Sequence, residues 1–184
     1  MTTEEMEVLV NEYGTSLYRF CCHLTGNVPE AEDLYQDTFL KTVELSHKLD
    51  RCGDGKSKRN YLIGISVNLW KNKKRKSLWR RNIVSETEFD DLRAADTRNL
   101  GGLEEAVVKQ ELLDEVNRLI GSLPEKQKII MNMYYAAEMS IEEISHNLKI
   151  SRKTVRSSMS KARTKIRSSL EAVSYTHLTL PTKA

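Results

Sequence analysis

The segment ISRKTVRSSMSKARTKIR, residues 150–167, carries seven basic side chains and no acidic one, yet its apolar residues recur regularly. Val155, Met159, Ala162 and Ile166 fall at i, i+4, i+7 and i+11, which places them on one face of an α-helix. That face reads as core. Arg156, Ser157, Ser160, Lys161 and Thr164 fall on other faces, leaving a polar, cationic surface without a carboxylate to repel phosphate. Ser151 is placed to cap this helix. Just upstream, SIEEISHNLKI (140–150) reads as a short helix from Ser140, with Ile141 and Ile144 inward, and a tight link through Leu148 to Ile150. Two short helices joined by about four residues, the second cationic, match a helix-turn-helix whose second helix lies in the DNA major groove. A structural hairpin with a solvated basic face would share the pattern. Lys149 stands where many such turns carry Gly.

Moving outward, Leu103–Ile120 reads as a helix with Val107, Leu112, Val116 and Leu119 supplying its apolar positions. Ser122 is expected to cap the next helix beside Pro124, and that helix is expected over about 125–137. Residues 80–102 have few large apolar groups and a Gly101-Gly102 pair, a composition that cannot bury enough surface to order itself. They read as a flexible acidic linker. In the first half, Leu9, Tyr13, Leu17, Phe20 and Leu24 give one buried stripe from Glu4 to Thr25. A second helix follows the Gly26-Asn27 break, with Pro29 in its first turn and Glu30, Glu32 and Asp33 near its positive end. DRCGDGKSKRN (50–60) reads as a polar loop, and YLIGISVNLWKNKKRK (61–76) resumes helical spacing through Leu62, Ile65 and Leu69. The fold class is therefore all-α, with two small helical domains at 4–79 and 103–170. The last residues, SYTHLTLPTKA (174–184), lose both charge and apolar spacing and read as a non-native tail, so the native C-terminus is expected to be missing.

The net charge of +3 conceals alternating blocks. Residues 1–50 carry ten acids and three bases; 51–81 carry eleven bases and one acid. Residues 86–115 carry ten acids and three bases, and 149–167 carry eight bases and no acid. Two basic surfaces separated by acidic segments imply a polyanion gripped at two places, since phosphate neutralisation releases counterions. A single basic run would read equally as a solvated face. In the first basic block, Asn68 and Asn72 lie one turn apart beside Tyr61 and Trp70, a mixture of amides, cations and rings suited to single-stranded nucleic acid. Trp70, and to a lesser degree Tyr61, read equally as core residues.

Three cysteines, without a signal peptide or an apolar run of membrane-spanning length, imply a reduced, cytoplasmic protein with no membrane insertion. Cys21 and Cys22, with His23, lack the CxxC geometry of a tetrahedral metal site and read as buried apolar groups. No cofactor or metal is expected. A Gly-rich phosphate loop, an HExxH pair and a nucleophile elbow are all missing, so no enzyme is expected.

The arrangement resembles bacterial sigma factors of the extracytoplasmic-function group, in the sigma-70 family, over about Leu9 to Leu170. LYRFCCHLTGNVPEAEDLYQDTFLK (17–41), with AEDLYQDTF (31–39) as its core, is similar to the start of that family's region 2, and 61–76 to its later part. Residues 123–163 are similar to region 4. The resemblance implies a transcription initiation subunit that binds core RNA polymerase, through the beta-prime clamp coiled coil and the beta flap, and directs it to promoter DNA. It implies polymerase contacts at Asp33, Gln36, Asp37 and Phe39, with Ala31 and Leu34 facing the core. It implies capture of the unpaired minus-10 strand by the loop 50–60 with Tyr61, Asn68 and Asn72, and phosphate contacts from Lys71, Lys73, Lys74, Arg75 and Lys76. Minus-35 contacts are implied for Arg156, Ser157, Ser160 and Lys161, with Thr154 alongside and Arg152, Lys153 and Arg163 on the backbone. An anti-sigma factor is a further implied partner. Tyr61 replaces a common Trp and Ser145 a common Ala, so the Ser145 hydroxyl is expected to find a carbonyl in its own helix. A helix-turn-helix regulator acting without polymerase is the alternative, but it leaves AEDLYQDTF unused.

Overall fold

The computed structural model describes residues 2–83 and 115–178, and among them every regular element is helical. Residues 84–102 of the linker expected at 80–102 and most of the helix expected from Leu103 lie outside the described residues, as do 179–184. Four helices form the first unit: α1 (Thr3–Thr25), α2 (Val28–Glu44), the single turn α3 (Ser46–Leu49) and α4 (Gly55–Ile83). After the helical residues 115–121 come α5 (Glu125–Tyr135), α6 (Ile141–Leu148) and α7 (Arg152–Leu178).

Local chemistry sets these ends. The Thr2 hydroxyl accepts from the Glu5 amide at 3.2 Å while the Glu5 carboxylate takes the Thr2 amide at 2.7 Å, a reciprocal cap that starts α1. Gly26, at φ 73°, ends α1 in the left-handed conformation that costs glycine least. Asn27 then caps α2 through the Glu30 amide at 3.0 Å. Asp54 takes the Ser57 amide at 2.8 Å, so α4 begins at Gly55 and Lys56–Asn60 are helical, which shortens the expected loop. Ser122 does not cap α5; its hydroxyl donates to the Leu119 carbonyl, and Pro124 takes the cap position. α4 runs past residue 79 to Ile83, and α7 past Leu170 to Leu178.

The predicted stripe of α1 is buried throughout, from Leu9 and Tyr13 to Leu17, Phe20 and Leu24, against Ala31 and Leu34 of α2 and Leu62 of α4. Full burial of side chains of this size stabilises by ~1.5–3 kcal/mol each. Inside α2, the buried Thr38 and Thr42 hydroxyls donate to the carbonyls four residues back, at 2.6 and 2.7 Å. The second unit packs Ile130, Met133 and Met139 against Ile144 of α6 and Val155, Met159 and Ala162 of α7.

The two units share one buried cluster. α1 packs on α5 and α4 on α6, and Leu62–Val67 is buried on every face. Across this seam Asn132 Nδ2 donates to the His23 carbonyl at 3.2 Å, and Arg59 to the Ala137 carbonyl at 2.8 Å. Asn60 Nδ2 donates to Glu143 at 2.9 Å, and Asn147 Nδ2 to the Asn60 carbonyl at 2.7 Å.

Candidate nucleic-acid and protein-docking surfaces

The helix-turn-helix is built from short-range chemistry. Ser140 and Glu143 form a second reciprocal cap, with the Ser140 amide on Glu143 at 2.6 Å and the Glu143 amide on the Ser140 hydroxyl at 3.2 Å. α6 stops at Lys149, which adopts φ 54° and ψ 44°, the left-handed geometry that a Gly usually supplies. The Ser145 hydroxyl reaches forward to the Ile150 carbonyl at 2.6 Å, so its partner lies across the turn and not in its own helix. Ser151 then accepts the Thr154 amide at 3.1 Å and starts α7.

With Val155, Met159 and Ala162 buried and Ile166 half-buried, α7 presents Arg152, Lys153, Arg156, Ser157, Ser160 and Lys161 to solvent. Thr154 is half-buried, its hydroxyl 2.9 Å from that of Ser151. Arg152 meets Glu142 at 3.4 Å. Arg163 is exposed but turned onto a tyrosine pair: its Nε donates to the Tyr135 hydroxyl at 3.0 Å, and its guanidinium lies 5.7 Å from both the Tyr134 and Tyr135 rings. Cations and hydroxyls on one exposed helical face can pair with guanine edges and phosphates.

On α4 the predicted residues separate into two groups. Asn68, Lys71, Asn72 and Arg75 line one cleft of ≈ 390 Å³, together with Leu78 and, from the second unit, Glu125. Arg75 donates to the Asn72 side-chain oxygen at 3.3 Å. Tyr61 does not join this cleft; it is half-buried against the core, and burial pushes its phenol above the usual range. Trp70 is 5% exposed, which settles it as a core residue, capped by Lys74 at 5.9 Å and Lys128 at 5.6 Å from its ring centre. Neither Leu78 nor Glu125 is among the expected contacts. Leu78 continues the Asn68–Lys71–Arg75 face by helical spacing, whereas Glu125 arrives through tertiary packing alone.

α2 shows Asp33, Gln36 and Asp37 on its solvent face. Phe39 does not share that face: it is 7% exposed and stacks edge-on against Tyr35 at 5.0 Å, so its expected docking contact is corrected to a core role. The apolar residues on the open face are Leu40, 65% exposed, and Val43. The i, i+3, i+7 spacing of Asp33, Gln36 and Leu40 is the sequence signal that points to Leu40. Asp33 also meets Lys73 of α4 at 3.3 Å; both side chains are well exposed, so the pair contributes little.

The cysteines are free, and burial pushes the Cys21 thiol up to about 12, far from a nucleophilic thiolate at neutral pH. Among the described residues no group of three or more His, Cys, Asp and Glu side chains is placed to hold a metal ion, and no helix is long and apolar enough to cross a membrane.

Comparison with known proteins places these two units in a wider set. Residues 9–81 match the model of Sigma-70 region 2, and residues 113–166 that of Sigma-70, region 4. Among curated relatives, the chain is 28% identical over 172 residues to the ECF RNA polymerase sigma factor SigW of Bacillus subtilis (strain 168), covering 88% of this chain and 87% of SigW. It is 24% identical over 167 residues to SigM of the same strain, covering 91% and 94%. Among solved structures, the sigma factor RpoE in complex with the anti-sigma factor NepR from Bartonella quintana shares the fold at a TM-score of 0.72 and 20% identity, over 92% of this chain and 98% of RpoE. CnrH, solved with the cytosolic domain of CnrY, follows at 0.61 and 20%, over 93% and 90%.

Proposed function

This chain belongs to the extracytoplasmic-function sigma factors of the sigma-70 family, and on that premise we propose how its residues divide the work of promoter recognition. As an RNA polymerase sigma factor it binds core polymerase and directs promoter recognition, strand opening and initiation. The observation that carries this reading is the order of the two family matches, each falling on one helical unit. A regulator acting on duplex DNA alone is not favoured, because it has no use for the first unit. The protein acts by binding; phosphodiester chemistry belongs to the polymerase.

The solvent face of α2, with Asp33, Gln36, Asp37 and Leu40, docks on the polymerase clamp, an apolar centre ringed by polar groups. Region 4 engages the polymerase flap while α7 enters the minus-35 major groove. There Arg156 and Lys161 address base edges, Ser157 and Ser160 support them, and Arg152 and Lys153 hold phosphates. The α4 cleft takes the unpaired minus-10 strand: Asn68 and Asn72 offer amide edges, and Lys71 and Arg75 neutralise phosphates. Extruding a base costs a few kcal/mol, which a fitted cleft offsets. The site of action is the cytoplasm, where polymerase and promoter are. An anti-sigma factor is an expected partner, as RpoE has NepR.

The test is reconstitution. Purified chain with core polymerase from the source organism is expected to start transcripts whose mapped 5′ ends share two upstream elements. In that assay Arg156→Ala and Lys161→Ala should each cost ~1–3 kcal/mol at one minus-35 position. Equal weakening on every DNA would make them phosphate clamps. Duplex binding without initiation on any genomic promoter would return the protein to the regulator class.

A further inference from the structure

We propose that Trp79 is a stacking platform for a nucleobase of the unpaired strand, set at the end of the α4 cleft beyond Arg75. The proposal rests on the strand-capturing role of α4 given above and adds a residue beyond those assigned there. Asn68, Asn72, Arg75 and Trp79 recur at i, i+4, i+7 and i+11, so the indole stands in the middle of the face that carries the cleft residues. α4 stays helical through Ile83, which fixes that register. At ~1.5 Å per residue, Trp79 lies about 10 Å along the axis from Asn72. Its side chain is 67% exposed, more than any other large apolar side chain among the described residues, and Leu78, 53% exposed, lines the cleft beside it. Trp70, on the same helix, is consumed by the core at 5% exposure, whereas the fold makes no comparable use of Trp79.

The charge around the indole selects its partner. Lys73 and Lys74 are turned onto Asp33 and Glu30 of α2, at 3.3 and 3.9 Å. Arg75 and Lys76 lie one turn before Trp79 and Arg80 follows it, and all three are exposed. Glu125 is the one acid that lines the cleft. A bare ring among cations fits a flat π-face tied to a phosphate chain: the phosphates meet the cations and the base meets the indole. A protein partner could bury the same ring, but it would have to bring a carboxylate for each cation. Because every base has a π-face, the contact adds affinity and fixes where the strand lies with little choice of sequence. That choice stays with the amides of Asn68 and Asn72, and Trp79 sets how far the strand is followed.

The experiment titrates core polymerase carrying the full chain into a labelled single strand of the mapped minus-10 sequence, read by anisotropy against core polymerase alone. Trp79→Ala is expected to weaken binding roughly 5-fold or more, and Trp79→Phe, which keeps a π-face, by less. Circular dichroism checks folding, and Trp79→Gln serves where the alanine variant fails to fold. A series of strands, each lacking one base, then locates the contact. Loss of the base at one position should cost the parent roughly 5-fold or more and leave Trp79→Ala unaffected, a coupling that a merely structural role for the indole would not produce. If Trp79→Ala binds every strand as the parent does while Lys71→Ala and Asn72→Ala weaken binding, the platform is refuted and the strand-capturing role of α4 stands. If Trp79→Ala impairs assembly with core polymerase at unchanged strand affinity, the indole is a protein contact and the proposal falls. Strand affinity indifferent to all of these changes would overturn the role of α4 and the platform together.

Discussion

Lys128 is a buried lysine in a basic neighbourhood. Burial holds its ammonium below the ordinary lysine range, and the nearby Lys74 pushes the same way, against a smaller pull from Glu30. The folded state therefore binds this proton less tightly than the unfolded chain does. At neutral pH the charged side chain costs stability, and the cost disappears as pH rises from the lowered native value towards the ordinary ~10.4. The ring of Trp70, 5.6 Å away, returns part of that cost as a cation–π contact. Lys128→Met is expected to raise stability at pH 7.5 by on the order of 1 kcal/mol and to flatten the alkaline rise, read from melting curves between pH 7 and 10. A lower melting temperature for the variant at pH 7.5 would mean that the cation–π contact dominates. Spacing could not announce this residue, because nothing in EKQKII separates a buried lysine from its exposed neighbour Lys126. Phe39 departs from its expected place for a related reason: a motif identifies a helix but not which of its faces turns inward, and Tyr35 and the rest of the core decide that.

Among the elements, the helix-turn-helix was the most legible. The i, i+4, i+7 spacing of Val155, Met159 and Ala162 fixed the buried face of α7, and Ser140 and Ser151 marked both helix starts. The turn between them carries a flaw visible in the sequence. Lys149 holds a left-handed backbone that costs an L-residue roughly 1–2 kcal/mol, partly offset by the greater unfolded-state freedom of Gly. Lys149→Gly is expected to stabilise the chain by ~0.5–1 kcal/mol, raising the melting temperature by ~1–4 °C. A drop would show that the lysine side chain holds the turn through contacts stronger than its backbone strain. The start of α4 was less legible. Gly53, Asp54 and Gly55 read as loop, and only the Asp54 cap on Ser57 turns Lys56–Asn60 into helix.

For the whole molecule, the two-unit plan was readable from charge blocks and apolar spacing, but the union of the units was not. The seam joins groups 78 or more residues apart, such as Arg59 with Ala137 and Asn60 with Glu143, and no local pattern encodes them. One buried cluster spanning both units predicts a single calorimetric transition for the free chain, with equal van't Hoff and calorimetric enthalpies. Two resolved transitions would show that the units melt independently and that the seam carries little cooperativity. The enclosure of Leu62–Val67 has one more effect, on biogenesis. The ribosome releases this run about 75 residues before Ile141 opens α6, a delay of roughly 4–15 s at ~5–20 residues per second, so a nascent chain holds its most apolar helix segment half-covered until translation of the second unit is under way.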